Sequence, residues 1–418
     1  LCGLPYVQSM LIHKEEHHTM REVVFVDGAR SAFTNMGGGL RDLASTEIAA
    51  FVMKGLVART GILERGKLDG VFCGNALRDG KASNIARYAA LLAGFPIETE
   101  AHYVEMQCGS AITSVNHAAA MIALGYADVL MVGGMESYST MNAEFSMNDE
   151  PYKLIPPIPL APHLAPTKEE DISMIEVSDK MAAKWGATRE ECDEFAARSQ
   201  QRLAAAYQKG ITGDEIIPYV IPATRKTPEI VVDKDEFPKP ATTAEGLSRL
   251  RAVIPGGVTT AGNSSGRNDG AAFLLMMSAD KARELGYTPY AKWVMGADIG
   301  VQPSLMGIGP AYSNLKAMKL AGLTVKDFDV FECNEAFAAQ NLGVIREMEA
   351  QSGMAIDQEK WNPNGGAISI GHPNGASGGR IAMFAMRQLE QTGGKYGLFS
   401  SCCGGGHGTT TIIENLRR

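Results

Sequence analysis

Two thiols in this sequence stand among glycines, an arrangement suited to reactive sulfur. Cys108 lies in Gln107-Cys108-Gly109-Ser110, which reads as a strand-to-helix turn, and Cys402 lies in residues 401–408 (SCCGGGHG). The thiolate is the nucleophilic form of cysteine, and a helix N-terminus is expected to lower the pKa of Cys108 and stabilise that form. A lone cysteine at a helix start is more often a small buried hydrophobe. The reading therefore depends on what accompanies it. Residues 362–380 (NPNGGAISIGHPNGASGGR) hold His372-Pro373 between two glycine clusters, which suits a positioned imidazole better than a solvent-facing one. Gly404, Gly405 and Gly406 would leave backbone N–H groups open, the material of an oxyanion hole. Asn334 opens Asn334-Glu335-Ala336-Phe337 after an apolar run, at a strand end of the kind where open sheets place ligand groups. Residues 261–271 (AGNSSGRNDGA) could approach a long thin ligand such as pantetheine, or form a plain turn. Cys402, Cys403 and His407 do not make a usual zinc spacing, and no metal is expected. The glycine loops carry neither a P-loop lysine nor the dinucleotide-binding glycine spacing.

The elements that must position these groups come in two similar sets. Residues 22–26 (EVVFV) read as a buried strand closed by an Asp27-Gly28 turn, and residues 43–56 have helical spacing. Residues 69–73 (DGVFC) form a second strand, residues 108–124 a small-residue helix, and residues 127–132 (ADVLMV) a third strand closed by Gly133-Gly134. This alternation indicates an α/β domain with a largely parallel sheet. The plan then recurs. Residues 291–295 form a strand, residues 329–334 (DVFECN) answer 69–75, and the helix following His372 answers the helix at Cys108. Residues 397–401 (GLFSS) answer the strand before Gly133, and Gly61 and Gly322 each suit a helix C-terminus. By this duplication His372 mirrors Cys108, and the two loops could meet at one cleft.

The expected organisation is a first half of residues 20–137 and 268–288, an inserted loop or lid domain of residues 138–267, and a second half of residues 289–418. Within the insert, residues 141–167 are rich in proline and methionine and read as a long loop. Residues 178–207 hold one or two amphipathic helices, with Thr188 and Glu191 as a capping box. Residues 1–19 match neither a signal peptide nor a transit peptide. They are expected to be a disordered leader or an appended remnant, with Met20 as a start.

A net charge of −8 without any Lys/Arg-rich block argues against nucleic acid as a partner. The seven cysteines (2, 73, 108, 192, 333, 402 and 403) are odd in number and lack secreted-framework spacing. That pattern suits free thiols in a reducing compartment, and a cytoplasmic location is expected. No apolar run reaches the length of a membrane span.

Taken in order, QCGS, AGNSSG, NEAF, GHPNGASGGR and the C-x-GGG-x-G of the last loop resemble the thiolase family over essentially the whole chain from Met20. The resemblance implies two βαβαβαββ halves stacked as five layers (αβαβα), with a loop domain inserted in the first. It also implies roles. Cys108 matches the nucleophile that takes the acyl group, and His372 the group that activates it and donates to an oxyanion hole. Asn334 matches the residue holding a water in that hole, and Cys402 the acid/base that moves the α-proton. Gly404 matches the source of a second hole's N–H, beside that of Cys108. On the CoA side the resemblance points to Ser265, Phe337 and the Ser173-Met174 pair. It implies acyl-CoA and CoA as substrates and products, no separate cofactor, and a homo-dimer or homo-tetramer.

The implied reaction is reversible Claisen condensation and thiolysis, acetyl-CoA plus acyl-CoA giving 3-ketoacyl-CoA plus CoA. Acetoacetyl-CoA is the first expectation, with a broader-chain 3-ketoacyl-CoA thiolase as the alternative. A non-catalytic CoA- or lipid-binding protein is the alternative of another class. Three features depart from the family pattern. Ser173 stands where many acetoacetyl-forming members carry histidine, His407 stands where methionine or glutamine is frequent, and the insert around residues 151–166 is unusually rich in proline. Ser173, with methionines 141, 147 and 174, is expected either to reshape the acyl side of the cleft or, equally, to face water while the methionines pack the lid itself.

Overall fold

In the computed structural model of the chain, the described residues are 20–418 except 81, 147–151, 154–155, 213 and 226. The leader expected over residues 1–19 lies outside them. The first strand, β1 (Val23–Arg30), is apolar on both faces. Val23 and Phe25 point into one core, and Val24 and Val26 into another. A strand covered on both sides needs such a continuous apolar run. The expected turn at Asp27-Gly28 is not there. The strand passes through a bulge between Phe25 and Asp27 and continues to Arg30. Gly28 is required for packing, because a Cβ there would come within 2.7 Å of Leu274.

Helix α1 (Ser45–Thr60) follows and ends at Gly61 in a left-handed conformation with φ 65°. Next come β2 (Gly70–Gly74), α2 (Ile85–Leu92), β3 (Glu100–Val104), α3 (Ser110–Ala123) and β4 (Val129–Glu136). The chain returns after the insert as β5 (Asn268–Ser278). The second half repeats the order as β6 (Ala291–Gly300), α6 (Gly309–Ala321), β7 (Phe328–Cys333), α7 (Ala338–Ser352), α8 (Ser377–Thr392), β8 (Tyr396–Cys403) and β9 (His407–Asn415). Here the counterpart of β3 is reduced to a single bridge between Phe331 and Trp361, whose rings stack. Insert helices α4 (Met174–Trp185) and α5 (Arg189–Gln208) are separated by Gly186, and Thr188 and Glu191 form the capping box at the start of α5.

The strands form one ten-stranded sheet in the order β7-β8-β9-β6-β1-β5-β4-β2-β3, with a two-residue strand at Thr34–Asn35 paired to β5. Three neighbouring pairs are parallel: β2–β3, β2–β4 and β7–β8. The other contacts among these nine strands are antiparallel, so the largely parallel sheet expected from the alternation is corrected to a mixed one. The cause is that each half ends in a strand, β5 or β9, that runs back beside its predecessor.

The halves stack as five layers. Helices α1 and α2 cover one outside, α6 and α7 the other, and α3 and α8 lie between the strands of the two halves. The middle layer is dry: Ile112, Val115 and Ile122 of α3 are fully buried, each contributing about 1.5–3 kcal/mol. The insert is pinned to the first half by buried Arg30, whose guanidinium reaches Glu215 at 3.0 Å and Asp235 at 2.7 Å. Among the described residues no helix is long and apolar enough to cross a membrane.

Strand β4 also corrects an expectation. It does not close at Gly133-Gly134 but runs to Glu136, buried throughout. Gly133 lies against the backbone of Ala272 and Phe273, and Gly134 against the carbonyl of Gly375. Neither site has room for a side chain, so the pair marks close backbone approach, not a turn. That approach carries the chain into the site.

Candidate active site

Cys108 sits in a 3-10 turn, Gln107–Gly109, between β3 and α3. Gln107 has a φ of 48°, in the left-handed region that a side chain seldom adopts. The turn is held locally. Glu105 accepts the Gln107 N–H at 2.7 Å, and Ser110 accepts the Met106 N–H at 2.9 Å while donating to the Gln107 carbonyl at 2.6 Å. The turn rests on β8, where the single hydroxyl proton of Ser401 faces the Cys402 carbonyl at 2.9 Å and the Cys108 carbonyl at 3.3 Å.

The loop before α8 holds His372, 4% exposed. Its backbone N–H donates to Asn268 Oδ1 at 2.9 Å. Ring Nδ1 lies 2.6 Å from Ser377 Oγ, and that hydroxyl donates to the Pro373 carbonyl at 3.0 Å. A hydroxyl has one proton, so Nδ1 must carry its own and donate it to Oγ. The network thus assigns a neutral imidazole whose Nε2 presents a lone pair, with Asn334 Nδ2 at 3.4 Å from it. Asn334 is itself fixed: its N–H donates to the Ser400 carbonyl at 2.9 Å, while its buried Oδ1 has no protein partner.

Cys402 and Cys403 are successive residues of β8 and are fully buried. Cys402 packs in the core of the second half, whereas the Cys403 sulfur fills the place a side chain on Gly109 would take. Gly405 and Gly406, with φ of 83° and 90°, turn the chain into β9, a conformation that glycine alone adopts freely. A Cβ on Gly404 would lie 3.0 Å from the Gln107 side chain and 3.2 Å from Leu164. Leu164, from the insert, therefore covers the glycine turn. It is held by Asp171, which accepts the Leu164 N–H at 2.9 Å and meets His163 Nδ1 at 2.5 Å.

The electrostatics correct the expected thiolate. Burial first, and the Glu136 charge second, push Cys108 up to about 12. Relative to an ordinary cysteine this costs the thiolate roughly 4 kcal/mol. A hydrogen bond from its own backbone N–H favours the thiolate but is smaller than either the burial or the Glu136 effect. Burial, followed by the charge of Arg380, lowers His372 to about 3. The resting pair is therefore neutral thiol and neutral imidazole. Burial, then the neighbouring Cys108, also raises Cys402 well above the usual thiol range.

The residues expected on the CoA side spread more widely. Ser265 donates its N–H to the Ala336 carbonyl at 3.0 Å, and the adjacent Ser264 bridges to Phe337, so these two segments adjoin. A cleft of about 380 Å³ beside them is lined by Phe237, Lys239, Thr243, Leu247, Ala261 and Ile368. Ser173 is exposed and serves as the N-cap of α4, accepting the Glu176 N–H at 3.3 Å. Met174 packs against the second-half core, and Met141 is 52% exposed. Met147 lies outside the described residues. Ser173 and Met174 thus have structural work of their own, as helix cap and core packing, and Leu164 is an insert residue placed against Gly404. Sequence reasoning passed over Leu164, Ser377, Asn268 and Glu136; for Ser377 and Asn268 the signal was their place within the two glycine-rich blocks.

The comparisons agree with this geometry. A family model described as thiolase, N-terminal domain matches residues 23–280, and one described as thiolase, C-terminal domain matches residues 287–415. An acetyl-CoA acetyltransferase of Allochromatium vinosum is 39% identical over 408 residues, covering 94% of this chain and 99% of the relative. A beta-ketoadipyl-CoA thiolase of Acinetobacter baylyi is 38% identical over 407 residues, covering 95% of this chain and 100% of the relative. Among solved structures, the Bacillus anthracis acetyl-CoA acetyltransferase superposes with a TM-score of 0.88 at 35% identity, covering 96% of this chain and 100% of that one. Human mitochondrial 3-ketoacyl-CoA thiolase gives 0.85 at 34% identity, covering 95% and 100%.

Proposed function

The chain belongs to the thiolase family of acyltransferases, and from that premise we propose that it joins two acetyl-CoA molecules, reversibly, into acetoacetyl-CoA and CoA. The observation that carries this reading is that two buried thiols, Cys108 and Cys402, lie near enough to interact, while the turn of Cys108 packs on helix α8, whose preceding loop holds His372 against Asn334. An acyl transfer alone needs one thiol; a carbon–carbon bond also needs a base for the α-proton. The beta-ketoadipyl-CoA thiolase relatives support a second reading, in which the 3-ketoacyl chain is longer.

The proposed cycle starts from the neutral pair. Cys108 gives its proton to His372 Nε2 as its sulfur attacks the thioester carbonyl, so the thiolate never accumulates. The N–H groups of Cys108 and Gly404 receive the oxyanion, preorganised donors worth several kcal/mol. Collapse breaks the carbon–sulfur bond to CoA, and the departing sulfur takes the Cys402 proton. Cys402, now a thiolate, removes the α-proton of the second acetyl-CoA. The enolate oxygen rests against protonated His372 and a water held by Asn334. The enolate carbon attacks acetyl-Cys108, whose sulfur leaves and recovers the proton from His372. Each group of the enzyme regains its starting protonation state: Cys108 through His372, and Cys402 by keeping the α-proton in place of the one that left with CoA. The cleft beside Ser265 and Phe337 would take the pantetheine arm, with Lys239 near a phosphate. Loss of acetoacetyl-CoA thiolysis in purified enzyme is the outcome that would reject the first reading.

Chain length has a specific test. Leu164→Ala opens space over Gly404, and two further methylenes buried there gain about 1.6 kcal/mol. The ratio of kcat/KM for 3-ketohexanoyl-CoA over acetoacetyl-CoA should then rise about tenfold. Ser173→His should leave the ratio unchanged while lowering Tm, because a helix cap is worth about 1 kcal/mol. An unaltered ratio in Leu164→Ala would remove Leu164 from the acyl pocket.

We also propose a homo-oligomer built on a dimer. Strand β4 lies inside the sheet, between β5 and β2, and offers no edge for pairing. β3 is one of the sheet's two end strands, and beside it α2 exposes Tyr88, Leu91 and Leu92, with Ile97 76% exposed. An unpaired edge with an apolar flank invites a second copy. Light scattering should report a dimer or tetramer for the native chain and a smaller species for Leu92→Asp with Ile97→Asp. A native monomer would refute the proposal.

A further inference from the structure

Glu136 is a buried carboxylate that the cycle above leaves without a task. One oxygen accepts the N–H of Gly375 at 2.9 Å and that of Ala76 at 3.0 Å; the other accepts Asn75 Nδ2 at 2.6 Å and the Leu77 N–H at 3.1 Å. These donors come from two separate segments, each tied to a catalytic group. Gly375 lies between His372 and Ser377, the residue that fixes the imidazole through Nδ1. The other segment continues β2, whose Gly74 lies directly under the start of α3: a Cβ there would be 2.7 Å from the Ala111 N. Cys108 stands one turn earlier on the same helix start.

We infer that Glu136 is a positioning residue: its carboxylate joins the loop of His372 to the support of Cys108 and so sets the nucleophile and its base against one another. The joint is not free of penalty. Burial lifts the Glu136 carboxyl to about 7, and its charge disfavours the Cys108 thiolate. Charge and positioning thus act on Cys108 in opposite directions. This makes the role measurable, although the role itself rests on the thiolase reading.

Glu136→Gln keeps the shape but leaves one acceptor oxygen and aims an NH2 at backbone donors. Two measurements separate the possibilities. In folded Glu136→Gln, kcat for thiolysis should fall roughly 100-fold, as for a misplaced catalytic pair, with KM for CoA within about threefold. Alkylation of Cys108 by iodoacetamide, followed on its own peptide by mass spectrometry, should slow. If Glu136 acted only as a nearby charge, its removal would ease ionisation and the alkylation would quicken. If it only stabilised the fold, Tm would drop with alkylation unchanged. Either result overturns the inference. Alkylation needs no substrate, so it reads the joint even if wild type fails to cleave a 3-ketoacyl-CoA and the thiolase activity itself is in error. Should Glu136→Gln not fold, Asn75→Ala removes one donor from the same carboxylate; slowed alkylation there supports the joint, and an unchanged or faster rate rejects it.

Discussion

Cys108→Ala should abolish acyl-enzyme formation and lower kcat/KM for thiolysis by at least about 10⁴-fold, while CoA still binds. The side chain is small and 9% exposed, so losing one sulfur should not unfold the protein. Its turn is held by Glu105, Ser110 and Ser401, which the substitution leaves in place. What disappears is the atom that receives the acyl group, and neither neighbouring thiol stands in its place, since Cys402 packs in the second-half core and the Cys403 sulfur lies beneath Gly109. Cys402 and Cys403 are fully buried, and burial raises both thiols well above the ordinary range. Incorporation of radiolabelled acetyl from acetyl-CoA, measured after acid quench, checks this. A variant that still traps label would end the assignment.

Cys402→Ala should behave differently at each step. It should still accept acetyl on Cys108, more slowly, because the His372 Nε2 lone pair serves the attack, CoA can leave as a thiolate without the Cys402 proton, and the substitution leaves the Ser377 and Asn334 contacts intact. Exchange of the acetyl-CoA α-protons with solvent deuterium should fall by about 10²–10⁴-fold, the usual worth of a positioned acid/base. Cys403 provides the control. Its thiol also lies close to Cys108, but the sulfur is lodged beneath Gly109 and donates to the Ser401 carbonyl at 3.7 Å. Cys403→Ala should therefore keep most of the exchange. If Cys403→Ala stops wash-in and Cys402→Ala does not, the base has been assigned to the wrong thiol.

The blocks around Cys108 and His372 were legible because each combines a reactive residue with glycines, although packing requires several of those glycines, Gly109 against the Cys403 sulfur and Gly375 against the Asn75 backbone. The duplication was legible too: helix α8, which follows His372, packs on the turn of Cys108 and on α3. What misled was glycine itself. Asp27-Gly28 and Gly133-Gly134 look like turns, yet both lie inside strands where a neighbour leaves no room for a Cβ. Local sequence cannot tell a turn glycine from a contact glycine, since the contact belongs to another part of the chain. Glu136 was hidden for the same reason: its donors lie 59 to 239 positions away and are mostly backbone N–H groups, which have no residue signature. The thiol pKa failed on burial. A helix start is visible in sequence, but the desolvation that opposes it arises only when two halves close over the sulfur. Ser173 was read for the histidine it replaces, whereas Ser173-x-x-Glu176 is a capping box legible in its own right.

The central claim is that acyl groups pass through Cys108 on the way to a new carbon–carbon bond. Peptide mapping by mass spectrometry, after brief mixing with acetyl-CoA and acid quench, tests it most directly. The account predicts acetyl on the peptide carrying Cys108 and on no other, discharged when CoA is added before the quench. Acetyl on the Cys402 peptide instead, or no covalent acetyl while acetoacetyl-CoA still forms, would contradict it.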